Sequence, residues 1–152
     1  MTDGYHLAQL NIGRIKAPVE DPIMDGFMNR LDEINAIADN TPGFVWRLQT
    51  EDGNATSIHA FDDPMLLVNM SVWESIEALH EYVYRSDHRE LLRSRAAWFE
   101  RHEGPYQVLW WVPAGHIPTV AEAKERLNML VEQGPTAQAF TFAKPFDPPA
   151  RA

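Results

Sequence analysis

The spacing of apolar residues along this chain changes period several times, and each period predicts an element. Residues 6–12, HLAQLNI, alternate, with Ala8, Leu10 and Ile12 on one face and Leu7, Gln9 and Asn11 on the other. A period of two marks a strand. Asp21 and Pro22 predict a helix start, the first as cap and the second in the first turn. Ile23, Phe27, Leu31, Ile34 and Ala38 then recur at helical spacing, widened by Met24 and Met28. Pro42 and Gly43 stop that helix near Asn40.

Residues 44–49 read as a second strand. Asp52-Gly53-Asn54 is a hairpin turn signal, with 57–61 as the short return. Residues 66–73 are apolar on both faces and predict a central strand. Ser75 opens a second helix with Ile76, Leu79 and Val83 as its stripe, and Asp87 with Glu90 resembles a capping box for a third, carrying Leu91, Leu92, Trp98 and Phe99. Residues 106–112 form the next strand. Thr119 and Glu122 make another capping box, before a stripe of Val120, Ala123, Leu127, Leu130 and Val131 that Gly134-Pro135 ends. Residues 140–142 are a last short strand, and 147–152 a flexible Pro-rich tail.

The order β-α-β-(β)-β-α-α-β-α-β predicts a single α+β domain over 1–146. Its core is a ferredoxin-like split β-α-β with a mainly antiparallel sheet and helices on one face. The other sheet face would be bare and apolar, too large a patch for a quiet monomer, so a homodimer is expected. Its interface should bury roughly 1,200–2,000 Å² in total.

Composition narrows the function classes. The net charge is −9, from 22 acidic and 13 basic residues. That balance argues against nucleic acid and an anionic membrane surface. The one basic run, Arg85 to Arg101, is interrupted by Asp87, Glu90 and Glu100. Without cysteine there is no disulfide, thiolate nucleophile or zinc–cysteine site. The first ten residues do not read as a signal peptide and no run of apolar residues is long enough to span a bilayer, so the expected location is cytoplasmic. The six histidines show no tight metal spacing, and no metal is expected.

Several stretches carry a family resemblance. Asn69-Met-Ser-Val-Trp-Glu-Ser-Ile-Glu-Ala-Leu79, continued by Tyr82-Val-Tyr-Arg-Ser-x-His88, resembles the strand–helix joint of the dimeric α+β barrel superfamily. That superfamily includes antibiotic-biosynthesis-type monooxygenases, haem-degrading monooxygenases and stress-responsive barrel proteins. Ala8-Gln-Leu-Asn-Ile12, Gly43-Phe-Val-Trp-Arg-Leu48, Asp52-Gly-Asn54, Arg95-x-x-Trp-Phe99 and Leu109-Trp-Trp-Val-Pro-x-Gly-His116 are similar to the bacterial DUF3291 family over roughly residues 6–146. The resemblance implies a dimeric α+β barrel. It names no reaction, because a shared fold does not transfer chemistry.

Candidate chemistry centres on polar residues in the strands. Asn11 and Asn69 fall on neighbouring strands, with Gln9 and Ser71 on the same respective faces. Under helices they could bind a ligand oxygen, or hydrogen-bond each other or buried water. His88 would sit in the first turn of a helix capped by Asp87, where the dipole favours neutral imidazole, a base or ligand, with Tyr84 one turn earlier. It could equally tie the interhelical corner together. His116 lies past a strand end and could serve a site or bond its own loop; His6, His59, His80 and His102 are weaker candidates. Trp46, Trp73, Trp98, Trp110 and Trp111 could line an aromatic cavity or fill core and interface. Trp110 and Trp111 must face opposite ways.

The resemblance suggests an enzyme or binder for a small hydrophobic or aromatic ligand, with monooxygenase-like oxidoreductase chemistry and no cofactor. Asn11 and Asn69 would then hold an oxygen while His88 and Tyr84 move a proton. Haem held by His88 or His116 is one alternative. A non-enzymatic ligand-binding or stress-response protein is another.

Overall fold

The alternating segment 6–12 becomes the middle of the sheet. The structure is a computed structural model that describes residues 4–18, 20–49, 65–84, 98–100 and 106–148, with backbone alone at 30–32, 34 and 84. Strand β1 (Tyr5–Arg14) pairs antiparallel with β3 (Leu66–Trp73) on one side and β4 (Gln107–Pro113) on the other. Strand β2 (Phe44–Arg47) joins the outer edge of β3, giving the order β2-β3-β1-β4. Helix α1 (Asp25–Asp39) connects β1 to β2, and α2 (Ile76–Tyr84) follows β3. This is the ferredoxin-like split β-α-β arrangement expected of the sequence, and β3 is central as its apolar faces require.

Helix starts follow their capping chemistry. Asp21 Oδ1 accepts the Ile23 N–H at 3.0 Å, but the turn it opens is a short 3-10 segment, Pro22–Met24, ahead of α1. That turn swings Ile23 into solvent, 53% exposed, and buries Met24 in its place, correcting the expected stripe. Ser75 Oγ accepts the Ala78 N–H at 3.1 Å, as its place before α2 predicts. The C-terminal helix α3 (Val120–Gln133) begins at Thr119, whose hydroxyl accepts the Glu122 N–H at 3.1 Å. The other half of that capping box is not made. Glu122 Oε2 accepts instead from the Trp110 indole N–H at 2.8 Å, and Oε1 lies 2.8 Å from His116 Nε2.

The helices do not all lie on one face, and this corrects the expectation of a bare sheet. Leu7, Trp73, Leu109 and Trp111 pack with Ala38 of α1 and Leu79 of α2. On the opposite face Ala8, Leu10, Met70, Val72, Val108 and Trp110 pack with Ala123, Leu127 and Leu130 of α3. Those sheet residues are at most 3% exposed. The amphipathic stripe of α3 needs an apolar partner, and the second sheet face is the one available. Val131, assigned to that stripe from spacing, faces out at 57% exposure.

Three smaller differences concern chain ends of elements. Leu48 still donates its N–H to Met70 O at 2.8 Å, although β2 ends at Arg47. The expected last strand reduces to one bridge, in which Phe140 and Leu109 exchange both backbone bonds at 2.8 Å. Phe99 does not continue a helix; it bridges Ile15, with Glu100 N–H donating to Arg14 O at 2.8 Å. The expected hairpin at 52–61 and the Asp87 cap lie outside the described residues. No helix among the described residues is long and apolar enough to cross a membrane.

Gly43 makes the joint between α1 and β2 possible. Its φ is +91°, a backbone that disfavours a side chain, and an added Cβ would stand 2.5 Å from the Ala78 Cβ on α2. Gly43→Ala should therefore destabilise by roughly 2–5 kcal/mol, combining left-handed strain with overpacking. Chemical denaturation measures it, and a midpoint equal to that of the wild type would show that α2 is not held against this turn.

Candidate functional site

Opposite residues in an antiparallel ladder point to the same side, so register places side chains in rows across the sheet. On the face shared with α1 and α2, one row runs Gln107, Asn11, Asn69. The next runs Leu109, Gln9, Ser71, Arg47, and the third Trp111, Leu7, Trp73. Two of these rows are polar, which is costly on a covered sheet face. Apolar clusters bound them on both sides. One holds Trp73, Leu7 and Trp111; the other holds Ile15, Leu67, Met24 and Phe27.

The inner polar row is bonded internally. Trp73 Nε1–H donates to Ser71 Oγ at 2.8 Å. Gln9 Nε2 donates to the same Ser71 Oγ at 2.9 Å and to Asn69 Oδ1 at 2.7 Å. Gln9 is 3% exposed and Ser71 6%. The outer row is different. Asn69 is exposed and Asn11 half-buried, although they are directly paired across the strands. No bond joins the two Asn side chains, and the Asn69 amide nitrogen has no partner among the described residues.

An aromatic and ionic wall stands beside this floor. Tyr82 of α2 stacks on Trp73 with ring centroids 5.1 Å apart and 25° between planes. Phe44 meets the same indole edge-on at 5.4 Å. Arg47 binds Asp39 at the end of α1, Nε to Oδ1 at 2.8 Å and Nη2 to Oδ2 at 3.3 Å. Burial pushes the Tyr82 phenol up to about 12; the Arg47 charge pulls against that rise and Asp39 adds to it. Tyr82 is therefore a neutral phenol across the physiological range.

The structure brings together Asn11, Asn69, Gln9 and Trp73. Trp111 lies in the same row as Trp73, but its indole N–H is donated to Phe146 O at 2.8 Å, whereas that of Trp73 joins Ser71. Trp46 and Trp110 belong to the opposite face, in the α3 layer. His116 is on that side too, bound to Glu122, so it does not join the polar rows. The two neighbours Trp110 and Trp111 do face opposite ways, as strand geometry requires. His88 lies outside the described residues, and Tyr84 is the last residue of α2. Sequence reasoning passed over Tyr82 as a site residue. Its signal was available, since Tyr82 is three residues after Leu79 and shares the buried side of α2.

Among solved structures, a conserved protein from Methanosarcina mazei superposes with a TM-score of 0.50 at 10% identity, covering 74% of this chain and 95% of that one. A protein of unknown function from Nitrosomonas europaea gives 0.48 at 12% identity, covering 76% and 97%. The cofactor-independent oxygenase SnoaB of Streptomyces nogalater gives 0.45 at 16% identity, covering 74% and 95%. At these identities the likeness concerns the fold alone. No curated protein matches the chain. The family model described as "Domain of unknown function (DUF3291)" matches residues 6–152, and the chain belongs to that family.

Proposed function

We propose that this protein binds, and oxidises, a small aromatic compound between the sheet and helices α1 and α2. The observation that carries the reading is the outer polar row. Two carboxamides stand directly opposite each other without bonding each other, with the Gln9–Ser71 row between them and a Trp73–Tyr82 stack. The buried Gln9 and Ser71 bond each other, whereas Asn69 is exposed and Asn11 half-buried, so packing does not close these two amides off. Here the Asn11 and Asn69 amides are available to hold a ligand oxygen, and the stacked aromatic rings offer a flat apolar wall.

The chemistry follows the resemblance to antibiotic-biosynthesis-type monooxygenases. His88, with Tyr84 nearby, takes the proton of a bound phenol, and the resulting electron-rich anion reduces dioxygen itself. The haem alternative gains no support at His116, whose Nε2 is engaged by Glu122 while Trp73 and Trp111 face the other side of the sheet. Homodimerisation belongs to the same reading and rests on the superfamily resemblance, since α3 covers the face expected to be bare.

Titration of aromatic phenols and ketones against tryptophan emission should give saturable binding. Asn11→Ala and Asn69→Ala should each weaken it by about tenfold or more, because a desolvated hydrogen bond is lost. Asn11→Ala should leave the unfolding free energy within about 0.5 kcal/mol of wild type, whereas Asn69→Ala also removes the acceptor of Gln9 Nε2 and should cost roughly 0.5–1.5 kcal/mol. Dioxygen uptake with a bound phenol that disappears in His88→Ala supports oxidation. Binding without uptake makes the protein a carrier, and absence of saturable binding refutes the site.

Alkaline titration provides a separate check on the wall. Folded Tyr82 holds its proton more tightly than the unfolded chain does, so the fold loses stability as pH rises from 10 toward about 12. Below pH 10 both states are protonated and the effect vanishes. Phenolate absorbance should show a late ionisation from Tyr82, and Tyr82→Phe should remove that step. In sedimentation at micromolar concentration the protein should run as a dimer; a single 17.4 kDa species would remove the homodimer from this reading.

A further inference from the structure

The inner row does more than fill space, because it sets which end of the Asn69 amide meets a ligand. An Asn side chain offers an acceptor oxygen and a donor nitrogen, and a free amide can turn either outward. At Asn69 the oxygen is taken by Gln9 Nε2 at 2.7 Å. The same Gln9 nitrogen is anchored to Ser71 Oγ at 2.9 Å, and Ser71 is held in turn by the Trp73 indole at 2.8 Å. An indole N–H can only donate, so the Ser71 oxygen accepts from it. With both lone pairs engaged, Ser71 retains only its own hydrogen to give. Gln9, at 3% exposure, has its rotamer locked by the packing around it.

We propose that Gln9 is a positioning residue which turns the Asn69 amino group toward the ligand, so that the site selects neutral aromatic compounds presenting an acceptor oxygen, a carbonyl or a phenol whose own proton points away from Asn69. The inference rests on the reading of this face as a ligand pocket and names the class of ligand it takes. Neutrality follows from the neighbouring row. Arg47, the cation there, is clamped by Asp39 through two contacts, and the whole chain carries a net charge of −9. A carboxylate would meet two neutral amides and no unengaged charge from Arg47. A donor group such as a ring N–H would face the Asn69 amino group and leave both unsatisfied.

Two near-isosteric tricycles test this. 9-Fluorenone presents an acceptor oxygen where carbazole presents a donor N–H, and both can be titrated against the intact protein by calorimetry or tryptophan emission. Wild type should bind fluorenone about tenfold more tightly than carbazole, the factor expected of one satisfied against one unsatisfied buried group. In Gln9→Glu the carboxylate can only accept, so Asn69 must turn its nitrogen inward and its oxygen outward. Carbazole should then become the tighter ligand. Gln9→Met keeps the shape and removes the bond to Asn69; it should reduce the preference to within about threefold, and it decides the matter should Gln9→Glu fail to fold.

The outcomes separate the two levels of the argument. Equal affinity of wild type for both tricycles, or a wild-type preference that survives in Gln9→Met or in a folded Gln9→Glu, overturns the role of Gln9 and leaves the pocket standing. If wild type binds neither compound, the pocket itself is refuted, and the inference falls with it.

Discussion

Strand β1 is paired along both edges, and its register with β3 and β4 is the constraint on which the remaining structure depends. Because side chains alternate, a slip by one residue would carry Gln9 and Asn11 to the α3 face and push Leu10 and Ile12 among polar groups. Two apolar sets oppose the slip. Ala8, Leu10 and Ile12 are buried under α3, while Leu7 is buried between Trp73 and Trp111 on the other side. The polar rows are thus held in place by apolar residues one position away, on the same strand. Nothing in the amides themselves needs to define where they lie.

The two faces of the sheet divide the labour. The α3 face is apolar in the rows of Ala8, Leu10 and Ile12, whose strand residues are almost completely buried, and His6 enters it opposite Val112. Its polar feature is peripheral: Trp110 and His116 converge on Glu122 at the first turn of α3. The α1–α2 face is interrupted. Its aromatic cluster gives way to Gln9, Ser71, Asn11 and Asn69 before apolar packing resumes at Ile15 and Leu67. Placing hydrogen-bonding groups in the middle of a packed face costs stability unless each is satisfied. The inner row bonds within the protein, and the outer row is tied to it through Asn69, which is exposed. A fold whose stability is secured on one face can tolerate such a gap on the other.

Much of the scaffold was legible in order and type. Asp21, Ser75 and Thr119 cap as their chemistry dictates, and Gly43 and Gly134 stand at positive φ where helices end. The placement of Asn11 and Asn69 on neighbouring strands followed from the split β-α-β order, their direct opposition came from register, and Trp110 and Trp111 diverge because strands alternate. Errors arose where a local pattern competed with a longer-range partner. Ile23 fits a helical stripe, yet the turn at Pro22 rotates it outward. Glu122 fits a capping box, yet a buried indole N–H with no other acceptor is the stronger claim on its carboxylate. Tyr82 shares the buried side of α2 with Leu79, which spacing shows, but its stacking on Trp73 becomes visible only in the fold.

The amino-acid sequence by itself determined the order of the main described elements and the central position of the Asn11 and Asn69 strands, because period, capping and turn residues act within a few positions of one another, and its motifs carried the resemblance to the family. Tertiary structure decided which face α3 would cover, that Trp46 and Trp110 would leave the candidate pocket, and that Gln9 would join Ser71 to Asn69. These depend on residues about sixty positions apart meeting across a ladder. Alternation tells which residues share a face, but only packing tells what lies above that face and which donor an amide oxygen will accept from.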